Sequence, residues 1–175
     1  MKLVLLDRDG VINFDSADYI KSPEEWRPIP GSLEAIARLN RAKIKVALIS
    51  NQAGVGRGLF SLAMLDSIHQ RMKDRLAEHD AHLDAIYFCP HHPDEDCHCR
   101  KPEPGMIEQA LADFNLSSED TVFVGDSYKD IQAAHAAGCK PALVLTGNGQ
   151  NTQSNNKVDH IDTYLDLADF VEKGI

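Results

Sequence analysis

The chain has 175 residues, enough for one buried core, and its 43% hydrophobic and 26% charged residues place it among ordinary globular proteins. A net charge of −9 argues against a nucleic-acid partner, which needs a basic face, and no apolar run approaches the roughly 18 residues of a membrane span. The opening MKLVLLDRDG has too short an apolar run for a signal-peptide core. A single domain over 1–175 is therefore expected, cytoplasmic, without a nucleic-acid or membrane partner, and monomeric because no amphipathic face is left over.

Short apolar runs at 2–6, 44–50, 85–88, 121–124 and 142–145 predict strands, by their length and β-branched content. Helical spacing lies between them. Leu33, Ile36, Ala37 and Leu39 follow Pro30-Gly31-Ser32, and Ser61 can cap a long helix carrying Leu62, Leu65, Ile68, Met72 and Leu76. Pro104 suits the first turn of a helix through Ile107, Leu111 and Phe114. Ser127 starts another helix, which Gly138 would close in the left-handed conformation. The polar stretch 147–160 reads as a loop leading to a final short helix near 162–173. Alternating strands and helices predict an α/β fold, a doubly wound, Rossmann-like parallel sheet sandwiched by helices, with ligands at the carboxyl ends of its strands.

Four polar clusters fall at those ends: Asp7-Arg8-Asp9-Gly10, Ser50-Asn51, Arg100-Lys101-Pro102, and Gly125-Asp126 with Lys129 and Asp130. Each alone reads as a solvated turn or a helix cap. In a 3-2-1-4-5 strand order the first and fourth strands are neighbours. Asp7, Asp9 and Asp126 could then share one hard divalent cation such as Mg2+, with Ser50 and Lys101 facing a phosphoryl group.

Three of the four cysteines, Cys89, Cys97 and Cys99, fall within eleven residues. With His91 they make a Cys3His set suited to a closed, structural Zn2+ site that would stiffen a loop without a core of its own. His92 and His98 are alternative ligands, and a disulfide among the clustered thiols is the competing reading. Cys139 reads as a core residue, and His69 and His135 as ordinary histidines.

The ordered set DRDG, Ser50, Lys101 and Gly125-Asp126 with Asp130 resembles the four motifs of the haloacid dehalogenase-like phosphohydrolases. That resemblance implies an aspartyl-phosphate mechanism. Asp7 is the nucleophile, Asp9 the general acid and base, and Mg2+, Ser50 and Lys101 neutralise the phosphoryl oxygens. The gaps Asp7–Ser50 and Ser50–Lys101 are filled by predicted elements, which resembles the capless members. The run CxHx5CxC followed by RKPxPGM, together with SNQAGVGRG at 50–58, is similar to the zinc-loop branch that acts on sugar bisphosphates and histidinol phosphate.

For this chain the likeness implies hydrolysis of the 7-phosphate of a D-glycero-D-manno-heptose 1,7-bisphosphate, on the route to ADP-heptose and the lipopolysaccharide core. Arg8, Asn51, Gln52 and Arg100, and more loosely Asp15 and Asp18, would contact substrate. Arg57 and Lys129 are further cations for the distal phosphate, and Ser127 stands where related chains often carry lysine. Histidinol phosphate, with an amine that Asp15 or Asp18 could meet, is the alternative substrate, and a zinc-stabilised protein without activity is the alternative class.

Overall fold

The computed structural model describes residues 1–154 and 158–174. Six parallel strands form one sheet: β1 (Leu3–Leu6), β2 (Lys45–Asn51), β3 (Ala85–Cys89), β4 (Thr121–Gly125), β5 (Lys140–Val144) and β6 (Thr163–Tyr164). Their order is β3-β2-β1-β4-β5-β6, so the chain reverses direction across the sheet at β1 and β4. The register sets Leu6 between Leu48 and Val124, which brings the residues that follow all three strands to one edge.

Alternation along the strands divides the core into two layers. Val4, Leu6, Val46, Leu48 and Val124 pack against α1 (Ser32–Arg41), α3 (Leu62–Ala77) and α7 (Leu167–Gly174). Leu3, Leu5, Ala47, Ile49 and Phe123 pack on the other face against α4 (Gly105–Phe114) and α5 (Tyr128–Ala136). Cys139 belongs to this second layer. The Ser61 hydroxyl accepts from the Met64 N–H and caps α3, and Gly138, at φ +73°, closes α5. Two very short helices complete the chain, α2 (Ala53–Gly56) and α6 (Gly149–Gln153).

Three local expectations are corrected. Pro104 is the N-cap of α4 and not its first turn, because the helix opens at Gly105. The stretch read as a loop from 147 contains α6, whose Thr152 hydroxyl donates to the Asp126 carbonyl. Residues 155–157 of that stretch lie outside the described residues. The final helix is preceded by β6, where Thr163 and Tyr164 pair with Leu143 and Val144.

Between Asp7 and Ser50 lie a loop, a 3-10 turn (Pro23–Glu25) and α1; between Ser50 and Lys101 lie α2, α3, β3 and one loop. Among the described residues there is no inserted cap domain, and no helix is long and apolar enough to cross a membrane. The long first loop folds back on itself: Phe14 N–H donates to Arg27 O and Ile29 N–H to Ile12 O. Leu48 is fully buried at the centre of the first layer. Leu48→Ala should cost about 2–5 kcal/mol of stability in a denaturant titration.

Candidate active site

Strand ends deliver the reactive groups to a cleft of about 700 Å3 lined by Asp7, Asp9, Asn51, Gln52, Arg100, Lys101, Asp126 and Asp130, among others. Asp7 follows β1, and its N–H donates to Val124 O, which ties the first acid to the strand that carries Asp126. Lys101 is only 3% exposed, and its ammonium lies 2.9 Å from Asp7 Oδ2 and 2.7 Å from Asp130 Oδ1. It also donates to Ile49 O at 3.1 Å. Burial disfavours the charged lysine, but the Asp130 and Asp7 carboxylates outweigh it and hold the ammonium above its ordinary range.

One carboxylate oxygen each from Asp7, Asp126 and Asp130 lie within 4.8 Å of one another. Burial, with repulsion from Asp130 and Asp126, pushes the Asp7 carboxyl well up despite Lys101. Burial and Asp130 likewise raise Asp126 to about 7. Three acids sharing one ammonium leave a deficit of positive charge. A divalent cation with oxygen ligands fits that deficit, and Asp7 and Asp126, which Lys101 does not fully neutralise, are placed to hold it. The chain also closes tightly on Asp126. Its Oδ2 accepts from the Asn148 N–H at 2.7 Å, and a Cβ at Gly10 (φ +85°) would collide with the same carboxylate.

The Asp9 carboxylate, expected as a further Mg2+ ligand, lies outside this group of three oxygens. Asp9 Oδ1 accepts from Arg8 Nε (3.1 Å) and Asn13 Nδ2 (2.8 Å), while Oδ2 accepts from Arg8 Nη2 (3.0 Å) and Gln52 Nε2 (3.2 Å). Burial would raise Asp9, but the Arg8 charge and these donors win and hold its carboxyl below the ordinary value. Asp130 takes its place in the cluster, oriented by the Ser127 N–H and O–H, which both donate to its Oδ2. This gives Ser127 a structural task.

The residues expected to contact substrate divide into groups. Arg8 is 1% exposed and lines the cleft; it spends Nε and Nη2 on Asp9, while its Nη1 is buried without a hydrogen-bond partner among the described residues. Asn51 pairs through both ends of its amide with the backbone of Lys101, at 3.0 Å each, and so fixes the lysine's main chain. Ser50 is buried, and its hydroxyl accepts from Gln52 Nε2 at 2.8 Å. Asp15 lines the cleft and also an adjoining hollow, which Asp18 lines with Phe14, Lys21 and Arg27. Arg100 lines the cleft, and its Nη1 is buried without a hydrogen-bond partner among the described residues. Lys129 also lines the cleft, exposed on the first turn of α5; Arg57 does not. Sequence reading missed Asn13, Trp26 and Asn148, which act through side-chain or main-chain contacts that no local pattern signals.

Cys89, His91, Cys97 and Cys99 bring their ligand atoms within 4.8 Å of one another. The Cys89–Cys97 sulfurs are 3.7 Å apart, and His91 Nδ1 lies 3.4 Å from Cys89 Sγ and 3.2 Å from Cys99 Sγ. A tetrahedral zinc with bonds of roughly 2.0–2.3 Å has edges of about 3.5–3.8 Å, close to these separations. No disulfide joins the four cysteines. His92 and His98 turn elsewhere: His92 Nδ1 accepts from the Asp94 N–H, and His98 Nε2 meets Glu108. Burial and the adjacent Cys89 and Cys97 push the Cys99 thiol up to about 12, a penalty on gathered thiolates that a bound Zn2+ would reverse. Gly56 in α2 lies so close that a Cβ there would strike the backbone of His91 and His92. Arg100 and Lys101 leave the cluster directly after Cys99.

Carboxylates and a buried lysine at the switch point of a parallel sheet define a phosphoryl-transfer site. The family model described as "HAD-hyrolase-like" matches residues 98–169. A D-glycero-beta-D-manno-heptose-1,7-bisphosphate 7-phosphatase of Pseudomonas putida is 47% identical over 96% of both chains. A relative of the same name from Pseudomonas aeruginosa is 49% identical over 95% of this chain and 93% of that one. The chain belongs to the haloacid dehalogenase-like phosphohydrolase family. The crystal structure of the D,D-heptose 1,7-bisphosphate phosphatase of Bordetella bronchiseptica, complexed with magnesium and phosphate, superposes with a TM-score of 0.96 at 47% identity. It covers 99% of this chain and 97% of that one.

Purified protein should carry close to one Zn2+ per chain by metal analysis, and Cys99→Ser should lose it. That loss should lower the melting temperature by about 5 °C or more. Protein free of zinc with an unchanged melting temperature would remove the site.

Proposed function

We propose that this chain is a Mg2+-dependent phosphatase that removes the 7-phosphate of D-glycero-D-manno-heptose 1,7-bisphosphate, acting as a cytoplasmic monomer on the route to ADP-heptose and the lipopolysaccharide core. The observation that carries the reading is a full acid and lysine set, Asp7, Asp9, Lys101, Asp126 and Asp130, gathered on one cleft in a chain 47% identical to a phosphatase of that name.

The 7-phosphate enters against Lys101, whose ammonium neutralises its oxygens and the growing charge at phosphorus. An Asp7 carboxylate oxygen attacks phosphorus while the bond from phosphorus to the sugar oxygen breaks. Asp9 gives its proton to that oxygen, so the leaving group departs as an alcohol and not as an alkoxide. The donors around Asp9 favour its anion, and the incoming phosphate, itself negative, counters them and favours the protonated form. Water then attacks the phosphorus of the aspartyl-phosphate, its proton passes to Asp9, and Asp7 is released as carboxylate. Asp7 and Asp126 would hold Mg2+, which when bound would supply positive charge that offsets repulsion between the nucleophile and the phosphoryl oxygens.

Besides Lys101 and the Asp9-bound Arg8, two cations on the cleft wall, Arg100 and Lys129, remain outside this chemistry. The unpartnered Nη1 of Arg100 suits an anionic group remote from the attacked phosphorus, and a guanidinium can bind it through two donors. This favours a bisphosphate over histidinol phosphate, whose amine would have Asp15 to meet and Arg100 to avoid.

Phosphate release from heptose 1,7-bisphosphate and from histidinol phosphate, each with Mg2+ and with chelator, tests the reading. Mg2+-dependent conversion of the bisphosphate to heptose 1-phosphate is expected, and a preference for histidinol phosphate would overturn it. Asp7→Asn should lower kcat/KM on the order of 10^4-fold or more, since an amide cannot form the aspartyl-phosphate. Arg100→Ala should reduce kcat/KM for the bisphosphate about 10-fold or more beyond its effect on p-nitrophenyl phosphate. Equal losses on the two substrates would reassign Arg100 to a general electrostatic role.

A further inference from the structure

Asp9 has two oxygens, and acid catalysis needs the proton on the one that faces the leaving group. Neither oxygen is idle: each accepts two hydrogen bonds, a full set for a carboxylate but one too many for the oxygen of a protonated acid that must itself donate. One donor therefore has to yield when Asp9 takes up its proton. The surroundings of the two oxygens decide which.

On the Oδ1 side the donor is fixed from behind. Asn13 is fully buried and Trp26 is 3% exposed. Trp26 Nε1–H donates to Asn13 Oδ1 at 2.9 Å. An indole N–H can only donate, so the amide must turn its oxygen to Trp26 and its NH2 the other way. That NH2 spends its two hydrogens on Asp9 Oδ1, at 2.8 Å, and on Phe14 O, at 2.9 Å, which are both acceptors. No flip of the amide satisfies all three partners. On the Oδ2 side the contact from Gln52 is 3.2 Å, the longest of the four, and the same nitrogen makes a 2.8 Å bond to Ser50 Oγ. Gln52, though only 2% exposed, lines the cleft and keeps its Ser50 bond if the longer contact to Oδ2 is given up, whereas Asn13 cannot move without leaving the Trp26 N–H unsatisfied in the core.

We infer that Asn13, oriented by Trp26, is a positioning residue that occupies Asp9 Oδ1 and reserves Oδ2 as the oxygen that carries the proton to and from the reacting groups. The inference rests on the reading of Asp9 as the general acid. In the first step the Oδ2–H proton passes to the sugar oxygen as its bond to phosphorus breaks. In the second step the attacking water returns a proton to Oδ2.

The test uses leaving groups. Through the first irreversible step, kcat/KM with an alkyl phosphate such as the heptose bisphosphate needs proton donation, whereas p-nitrophenolate leaves without it. Asn13→Asp keeps the shape and the Trp26 bond, gives up the donation to Phe14 O, and sets a carboxylate against Oδ1. It should lower kcat/KM for the sugar phosphate at least about tenfold more than for p-nitrophenyl phosphate. Trp26→Phe removes the donor that orients the amide together with part of a buried ring, a packing loss that affects both substrates alike, and should give the same selectivity at roughly 3-fold to 10-fold. In an Asp9→Asn background, Asn13→Asp should add no further selectivity. Equal losses on both substrates, or no loss, would overturn the inference and leave Asn13 a packing residue. Asp9→Asn alone keeps the two readings apart. If it lacks leaving-group selectivity the acid assignment fails, and if it has that selectivity while Asn13→Asp does not, only the positioning role fails.

Discussion

Everything at the strand ends is arranged around one ammonium taken out of water. Lys101 is 3% exposed, and a charge so placed persists only where opposite charge and hydrogen bonds replace its hydration. Asp7 from β1 and Asp130 from the start of α5 supply the charge, and Ile49 O from β2 supplies a further acceptor. Asn51, at the end of β2, clasps the lysine's backbone, and Ser127 turns Asp130 toward it. Three strands and the loop after β3 are thus committed to one point. The same commitment explains why a molecule of net charge −9 can receive an anion: the cations that matter are few and local, and they face the cleft.

The Cys89–Cys99 loop belongs to the same arrangement. It contributes a pair of partly buried thiols, Cys97 and Cys99, to the edge of the second core layer, and little else that is apolar. A tetrahedral ion at its centre would replace the missing core and fix the point from which Arg100 and Lys101 depart. Attacked phosphate and remote anion would then be met by consecutive residues on one rigid support. Such a division of labour between a lysine as a point charge and an arginine as a fork would need no inserted cap domain.

Much of this was legible in the sequence because the signals are local. Apolar runs ending in DRDG, in Ser50 and in Gly125-Asp126 give both the strands and their reactive ends, and the 3-2-1-4-5 order brings the acids together. Side-chain direction is not local, and there the sequence is silent. Asp9 sits two residues from Asp7, yet Arg8, Asn13 and Gln52 turn its carboxylate away from the cluster, and Asp130 fills the place. Spacing could not choose among His91, His92 and His98; only His91 shares a point with the three thiols. The contribution of Asn148 and Thr152 to Asp126 lay hidden in a stretch whose composition reads as loop. Trp26 and Asn13 meet because the first loop doubles back, a long-range event with no sequence signature.

The central claim is that Asp7 takes the phosphoryl group before water does, and the stereochemistry at phosphorus tests it most directly. A thiophosphate analogue of the substrate, chiral through oxygen-isotope labelling, can be hydrolysed in isotopically labelled water and the configuration of the released thiophosphate determined. Two successive in-line displacements, one by Asp7 and one by water, predict overall retention of configuration. Overall inversion would mean that water attacks the phosphorus directly, and would contradict the account.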